Sequence, residues 1–378
     1  MKVSIIKQDN YDYIEIKEKL LETLNNLGGI DKFIEKGDKV LLKPNLLMKK
    51  KPEEATTTHP AIIKALAEII TNQGGTVVIG DSPGGPFNSI MLSNIYKSTG
   101  MTKASNIKNT EVNKNFNSFT KEFKDGIILN NILLTDMIND IDKIINISKL
   151  KTHGFAVFTG AVKNLFGLVP GTNKAEYHVK MPDINDFANS LIDICECIKP
   201  SLHIMDGIDA MEGAGPSGGS KKHLGLLLAS ENPHHLDLCA CKIIGLEVDD
   251  VPTLRKAKER KLIKKFHFNE DIVGENIENL IVEDFKKAPA NSGNLRNIPK
   301  PIINLLINRL KSKPIFHHDI CIGCGDCAIN CPPRAIDMVD GKPKVNYDKC
   351  ISCFCCQELC PVKAITIKKP FLAKLIFK

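Results

Sequence analysis

CIGCGDCAINCPPRAI, Cys321 to Ile336, recurs as CISCFCCQELCPVKAI, Cys350 to Ile365, with every cysteine of the C-x2-C-x2-C-x3-C-P pattern displaced by 29 residues. The C-terminal part of the chain is therefore a duplicated half. Its x2 loops let three thiolates converge on one face of a compact inorganic centre, and the proline after the fourth turns the chain away. Thirteen cysteines in 378 residues would suit disulfides in a small secreted domain, but eight of them fall on the repeated positions of these two runs and the N-terminus, MKVSIIKQDNYDY, breaks its apolar run with Lys7, Gln8 and Asp9. The pattern thus points to metal in a reducing compartment. Zinc held by four cysteines is the competing reading, and two complete, duplicated quartets are far more specific than a lone C-x2-C.

The spacing resembles that of bacterial two-cluster ferredoxins, in which three cysteines of one run and the fourth of the other hold each iron-sulfur cluster. That resemblance implies two [4Fe-4S] clusters, one on Cys321, Cys324, Cys327 and Cys360, the other on Cys350, Cys353, Cys356 and Cys331. Gly323 and Gly325 leave room for backbone amides beside cluster sulfur, and Cys355 stands between ligands as a spare thiol.

Working back from this module, the chain is too long for one core and its 43% apolar and 25% charged content is that of a globular protein. Strand-length apolar runs at Val3–Ile6, Val40–Leu42, Thr76–Gly80, Lys143–Ser148 and Leu202–Asp206 alternate with helix-length stretches at about Pro60–Asn72, Asp183–Cys197 and Pro233–Ile244. This predicts an α/β fold: a large N-terminal domain over 1–287 with a mostly parallel sheet and flanking helices. A linker with a short helix is expected over 288–316, a small α+β two-cluster ferredoxin domain over 317–370, and an apolar, basic tail over 371–378. The net charge of +7 is modest, and the basic run RKAKERKLIKK from Arg255 is spaced like the wet face of a helix, so no nucleic-acid partner is expected. No stretch approaches bilayer length, which predicts a cytoplasmic protein without a transmembrane segment. Cys195, Cys197, Cys239 and Cys241 fall in predicted helices where i and i+2 side chains diverge, and read as buried thiols.

Six motifs of the large domain resemble the family known as domain of unknown function 362. They are Lys43-Pro44-Asn45, Thr57-Thr58-His59-Pro60, Gly80-Asp81-Ser82-Pro83-Gly84, Lys151-Thr152-His153, Thr159-Gly160-Ala161-Val162-Lys163-Asn164 and Met211-Glu212-Gly213-Ala214-Gly215-Pro216. The resemblance implies a fold type and no reaction. Read physically, polar groups just past parallel-strand ends face the crevice where α/β proteins bind ligands. Lys43, Asn45, Asp81, Lys151 and Glu212 are therefore candidate substrate-binding residues, with Asp206 beside them. Thr58 is a candidate N-cap for the helix from Pro60, which leaves His59 a structural role. The glycine-rich loop Met211–Lys222 could wrap an anion, act as a lid or simply be flexible.

The segment SKLKTHGFAVFTGAVKNLFGLVPG, Ser148 to Gly171, resembles the cofactor segment of nickel-pincer lactate racemases, where a lysine ten residues after a histidine bonds the cofactor and a Pro-Gly and a second histidine follow. His153, Lys163, Pro170-Gly171 and His178 stand in those places. Ala161 replaces a glycine, and Asp81 and Ser82 stand where that family has a further histidine. Lys163, His153 and His178 are accordingly the candidate catalytic residues. The function expected is an iron-sulfur oxidoreductase passing electrons between a redox partner protein and a small anionic molecule. A non-catalytic carrier or maturation factor, and a racemase-like isomerase with accessory clusters, are the alternatives.

Overall fold

A computed structural model describes residues 1–263, 265–288 and 312–368. The sheet at its centre has nine strands: β1 (Val3–Lys7), β2 (Lys39–Lys43), β3 (Thr76–Ile79), β4 (Thr110–Val112), β7 (Lys143–His153), β8 (Val157–Thr159), β9 (Leu202–Glu212), β10 (Ser220–Ser230) and β11 (Ile272–Gly274), while β5 (Ser118–Glu122) and β6 (Asn131–Thr135) form a separate hairpin. Strand order is β11-β1-β10-β9-β7-β2-β3-β4, with β8 folded back on β7. Only β10 and β8 run against the rest, so the fold is α/β with a mostly parallel sheet.

Both faces of the sheet are covered, which is why its strands are continuous apolar runs. Val40, Leu42, Val77, Ile79, Ile145 and Ile147 pack on one side against the helices Tyr13–Asn26 and Pro60–Asn72. The alternate residues Leu41 and Val78 pack on the other against Ile184–Ile198, and Leu226 and Leu228 against Pro233–Ile243. The helix from Pro60 is capped by His59, whose Nδ1 accepts from the Ala61 amide at 3.2 Å. Thr58 is not the cap: its hydroxyl donates to the Ile147 carbonyl at 2.8 Å.

β7 and β9 are longer than the apolar pattern predicts. Each continues to eleven residues, and a register shift between Lys149 and Lys151 carries the polar run Lys149–His153 into the sheet's upper edge, fully buried.

In the C-terminal module β12 (Lys313–Phe316) pairs antiparallel with β15 (Ile365–Lys368), and β13 (Ile336–Val339) with β14 (Lys342–Val345). β12 lies inside the segment expected as linker, so the module begins before residue 317. The linker helix and the tail over 371–378 fall outside the described residues. The module seats on the large domain through the loop after β9. Ser217 donates to the Glu358 carbonyl at 2.6 Å and Gln357 to the Ala214 carbonyl at 2.9 Å, while Lys50 reaches the Pro361 carbonyl at 3.4 Å. The glycine-rich loop is thus the receptor for the second cysteine run rather than an anion loop or a lid. No helix among the described residues is long and apolar enough to cross a membrane.

Candidate functional site: a lysine-lined cleft beside the second cysteine run

A cleft of about 120 Å³ opens above the C-terminal ends of β2 and β3 and is closed on one side by the module. The large domain lines it with Lys43, Asn45, Asp81, Ser82, Lys163 and Lys174, together with Phe166 and His178; the module contributes Asn330, Cys355, Glu358 and Leu359.

Lys43 and Asp81 form a buried ion pair at 2.7 Å, and the Lys43 ammonium also donates to the Pro44 carbonyl at 2.8 Å and Asn164 Oδ1 at 3.2 Å. Asp81 further accepts from the Leu46 amide at 2.9 Å. Gly167 is required here, because a Cβ on it would lie 2.0 Å from Asp81 Oδ1 and 2.5 Å from Lys43 Nζ. Beneath this floor Lys151 donates to Asn45 Oδ1 at 2.7 Å and to the Thr56 carbonyl at 2.8 Å, and burial pushes its ammonium down to about 7. Lys151 therefore holds Asn45 in place from below and does not line the cleft.

Lys163 and Asn164 ride on the short helix Ala161–Asn164, whose N-terminus is capped from a distance: buried Asp237 accepts the Ala161 amide at 2.6 Å and the Val162 amide at 3.2 Å. A Cβ at Gly160 would lie 2.0 Å from Asp237 Oδ1, so the glycine lets that carboxylate approach. Asn164 ties the helix to the floor through Asn146 at 2.8 Å and Asn45 at 3.0 Å. The Lys163 ammonium has no hydrogen bond or ion pair among the described residues; it lies 5.8 Å from the Phe166 ring centroid, and Lys174 lies 5.6 Å from the same ring. Burial lowers the Lys163 pKa against the opposing charges of Glu358 and Cys355, and lowers that of Lys174 to about 7. Lys174 also donates to the Ser82 carbonyl.

His178 stacks on Phe187 at 4.6 Å, its Nδ1 is buried without a partner, and burial holds it neutral with a pKa of about 3. His153 lies behind the cleft wall. Its Nδ1 accepts from the Phe155 and Ala156 amides at 3.0 and 3.1 Å, so the neutral ring carries its proton on Nε2, 3.7 Å from Glu358 Oε2. Glu212 is apart from all of this: it accepts the Lys286 amide at 2.9 Å and does not face the crevice, because β9 runs on past the strand end expected from sequence. Asp206 is likewise spent structurally, on Lys149 at 2.9 Å, Tyr11 at 2.9 Å and the His59 amide at 3.0 Å. The sequence reading missed Lys174, Phe166, Glu358 and Asp237. A lysine soon after Pro170-Gly171 was the one available signal.

In the module, Cys321, Cys324, Cys327 and Cys360 all line one apolar cavity with Phe316, Met338 and Val362. Cys331 has Cys353 and Cys350 near it, and Cys356 has Cys353, Cys350, Cys331 and, last, Cys327 of the other run. Among the described residues no three His, Cys, Asp or Glu side chains gather as one bare metal ion requires. The cysteines instead surround spaces that suit a larger thiolate-bound group. Backbone amides of Gly323 and Ala335 lie 3.5 and 3.2 Å from the sulfurs of Cys321 and Cys331.

An α/β domain joined to a cysteine-duplicated module of this kind defines an iron-sulfur protein. The chain belongs to the family described as domain of unknown function (DUF362), which it matches over residues 40–242, and residues 313–361 match a 4Fe-4S dicluster domain. It is 35% identical over 260 residues to the thylakoid-associated protein sll1697 of Synechocystis sp., covering 68% of this chain and 78% of that one. Among solved structures, the lactate racemase apoprotein from Thermoanaerobacterium thermosaccharolyticum aligns with a TM-score of 0.39 at 13% identity, over 65% of this chain and 57% of that chain.

Proposed function

We propose that the chain is a cytoplasmic iron-sulfur oxidoreductase that holds two [4Fe-4S] clusters and binds a small anion in the cleft beside the second cysteine run. The observation that carries this reading is the composition of the cleft wall, in which unpaired Lys163 faces Cys355 and Glu358 of the module. In this reading Cys321, Cys324, Cys327 and Cys360 hold one cluster, and Cys350, Cys353, Cys356 and Cys331 the other. When bound, the clusters supply one-electron exchange.

The protein's own groups do the rest. Lys163 and Lys174 bind the anion over the Phe166 ring, and their low-dielectric surroundings strengthen that attraction. Lys43, Asn45 and Asp81 fix the floor and Lys151 braces it. Neutral His178 offers a proton acceptor at the cleft wall. Neutral His153 stands 3.7 Å from Glu358 across the domain junction. Cys324, exposed at the module surface, marks the side that an electron-transfer partner protein would approach.

Calorimetric titration of the anaerobically purified protein with oxalate tests the cleft. The wild type should bind, and K163A and K174A should each weaken binding by about tenfold, the worth of one charge-assisted contact, with the visible cluster absorption unchanged. Equal binding by all three proteins overturns the assignment and leaves the carrier alternative.

A further inference from the structure

Cys355 places the second cysteine run against the cleft. It is buried, it lines the cleft, and it stands in the chain between Cys353 and Cys356, two of the four cysteines of the second quartet. Lys163 lines the same cleft, with Cys355 and Glu358 on the module's side of it. The cleft carries polar groups free to bind a ligand: among the described residues Ser82 Oγ and His178 Nδ1 are buried on its wall with no hydrogen-bond partner, and the Lys163 ammonium has no acceptor.

We propose that occupancy of the cleft sets the reduction potential of the cluster held by Cys331, Cys350, Cys353 and Cys356, with Lys163 as the coupling residue. This rests on the cleft reading above and adds regulation to it. The physical reason is electrostatic. An unpaired ammonium across the cleft from the second cysteine run favours the extra electron on a centre held there. An anion seated on Lys163 cancels that contribution and lowers the potential. By linkage, reduction must weaken anion binding by the same factor. The protein then holds its ligand tightly when oxidised and loosens it when reduced, with no conformational change required.

A potentiometric titration of the holoprotein followed by paramagnetic resonance, with and without oxalate, reads this directly, alongside oxalate affinity in each redox state. The expected result is a lower potential in the presence of oxalate and affinity for the reduced protein about tenfold weaker, within the usual range of site-to-site coupling. K163Q should abolish the shift, and K163R, which keeps the charge, should retain it. Oxalate that binds wild type without moving the potential overturns the coupling and leaves the cleft reading standing. Failure of oxalate to bind at all overturns both.

Discussion

Lys43 and Asp81 lie 2.7 Å apart with almost no solvent around them, and such a pair is worth little as stability. Removing one partner strands the other, at a cost of about 3–5 kcal/mol, whereas an apolar replacement of both can be neutral. Keeping both charges in this family member makes sense if the floor must stay polar for the cleft. Lys151 makes a sharper case. Burial holds its ammonium at about 7, while in the unfolded chain it titrates near ~10.4. Between these values the unfolded state binds the extra proton and the folded state does not, so stability rises with pH through that window. Lys174 acts in the same sense. K151M should therefore flatten the rise in Tm between pH about 7 and about 10, measured by calorimetry on the holoprotein. An unchanged slope would mean that Lys151 is solvated and charged in the fold.

The short helix Ala161–Asn164 is the element on which the site turns. It is too short to be stable alone, and Asp237 holds its first amides from another helix. G160A should push a methyl into that carboxylate, displace Lys163 and weaken oxalate binding by about tenfold, the value of a lost cap of about 1–2 kcal/mol. Calorimetric titration checks it, and undiminished affinity would contradict the capping account. The Thr159–Asn164 motif was legible in sequence, yet its support was not, because Asp237 lies some seventy residues away with no pattern to link them. The helix Pro60–Asn72 was legible to the residue, since proline and glycine punctuate it. The extended ends of β7 and β9 were not. Lys149, Lys151 and His153 look like a loop by polarity, and only the partners that each finds when buried let them continue a strand.

At the scale of the whole molecule, the cysteine duplication announced the module, but nothing in it said which face would meet the large domain. That is decided by the loop after β9, which grips Gln357 and Glu358 and so turns the second cysteine run, with Asn330 of the first, toward the cleft that Lys163 lines. In the proposed function the cleft and the second cluster form one device, and Cys324 of the first run is exposed. Electron-nuclear double resonance on the reduced holoprotein with 13C-labelled oxalate tests that unity most directly. The account predicts a 13C hyperfine coupling to one of the two clusters, lost in K163Q. A cluster signal with no 13C coupling at saturating oxalate would contradict it, because the anion would then sit elsewhere.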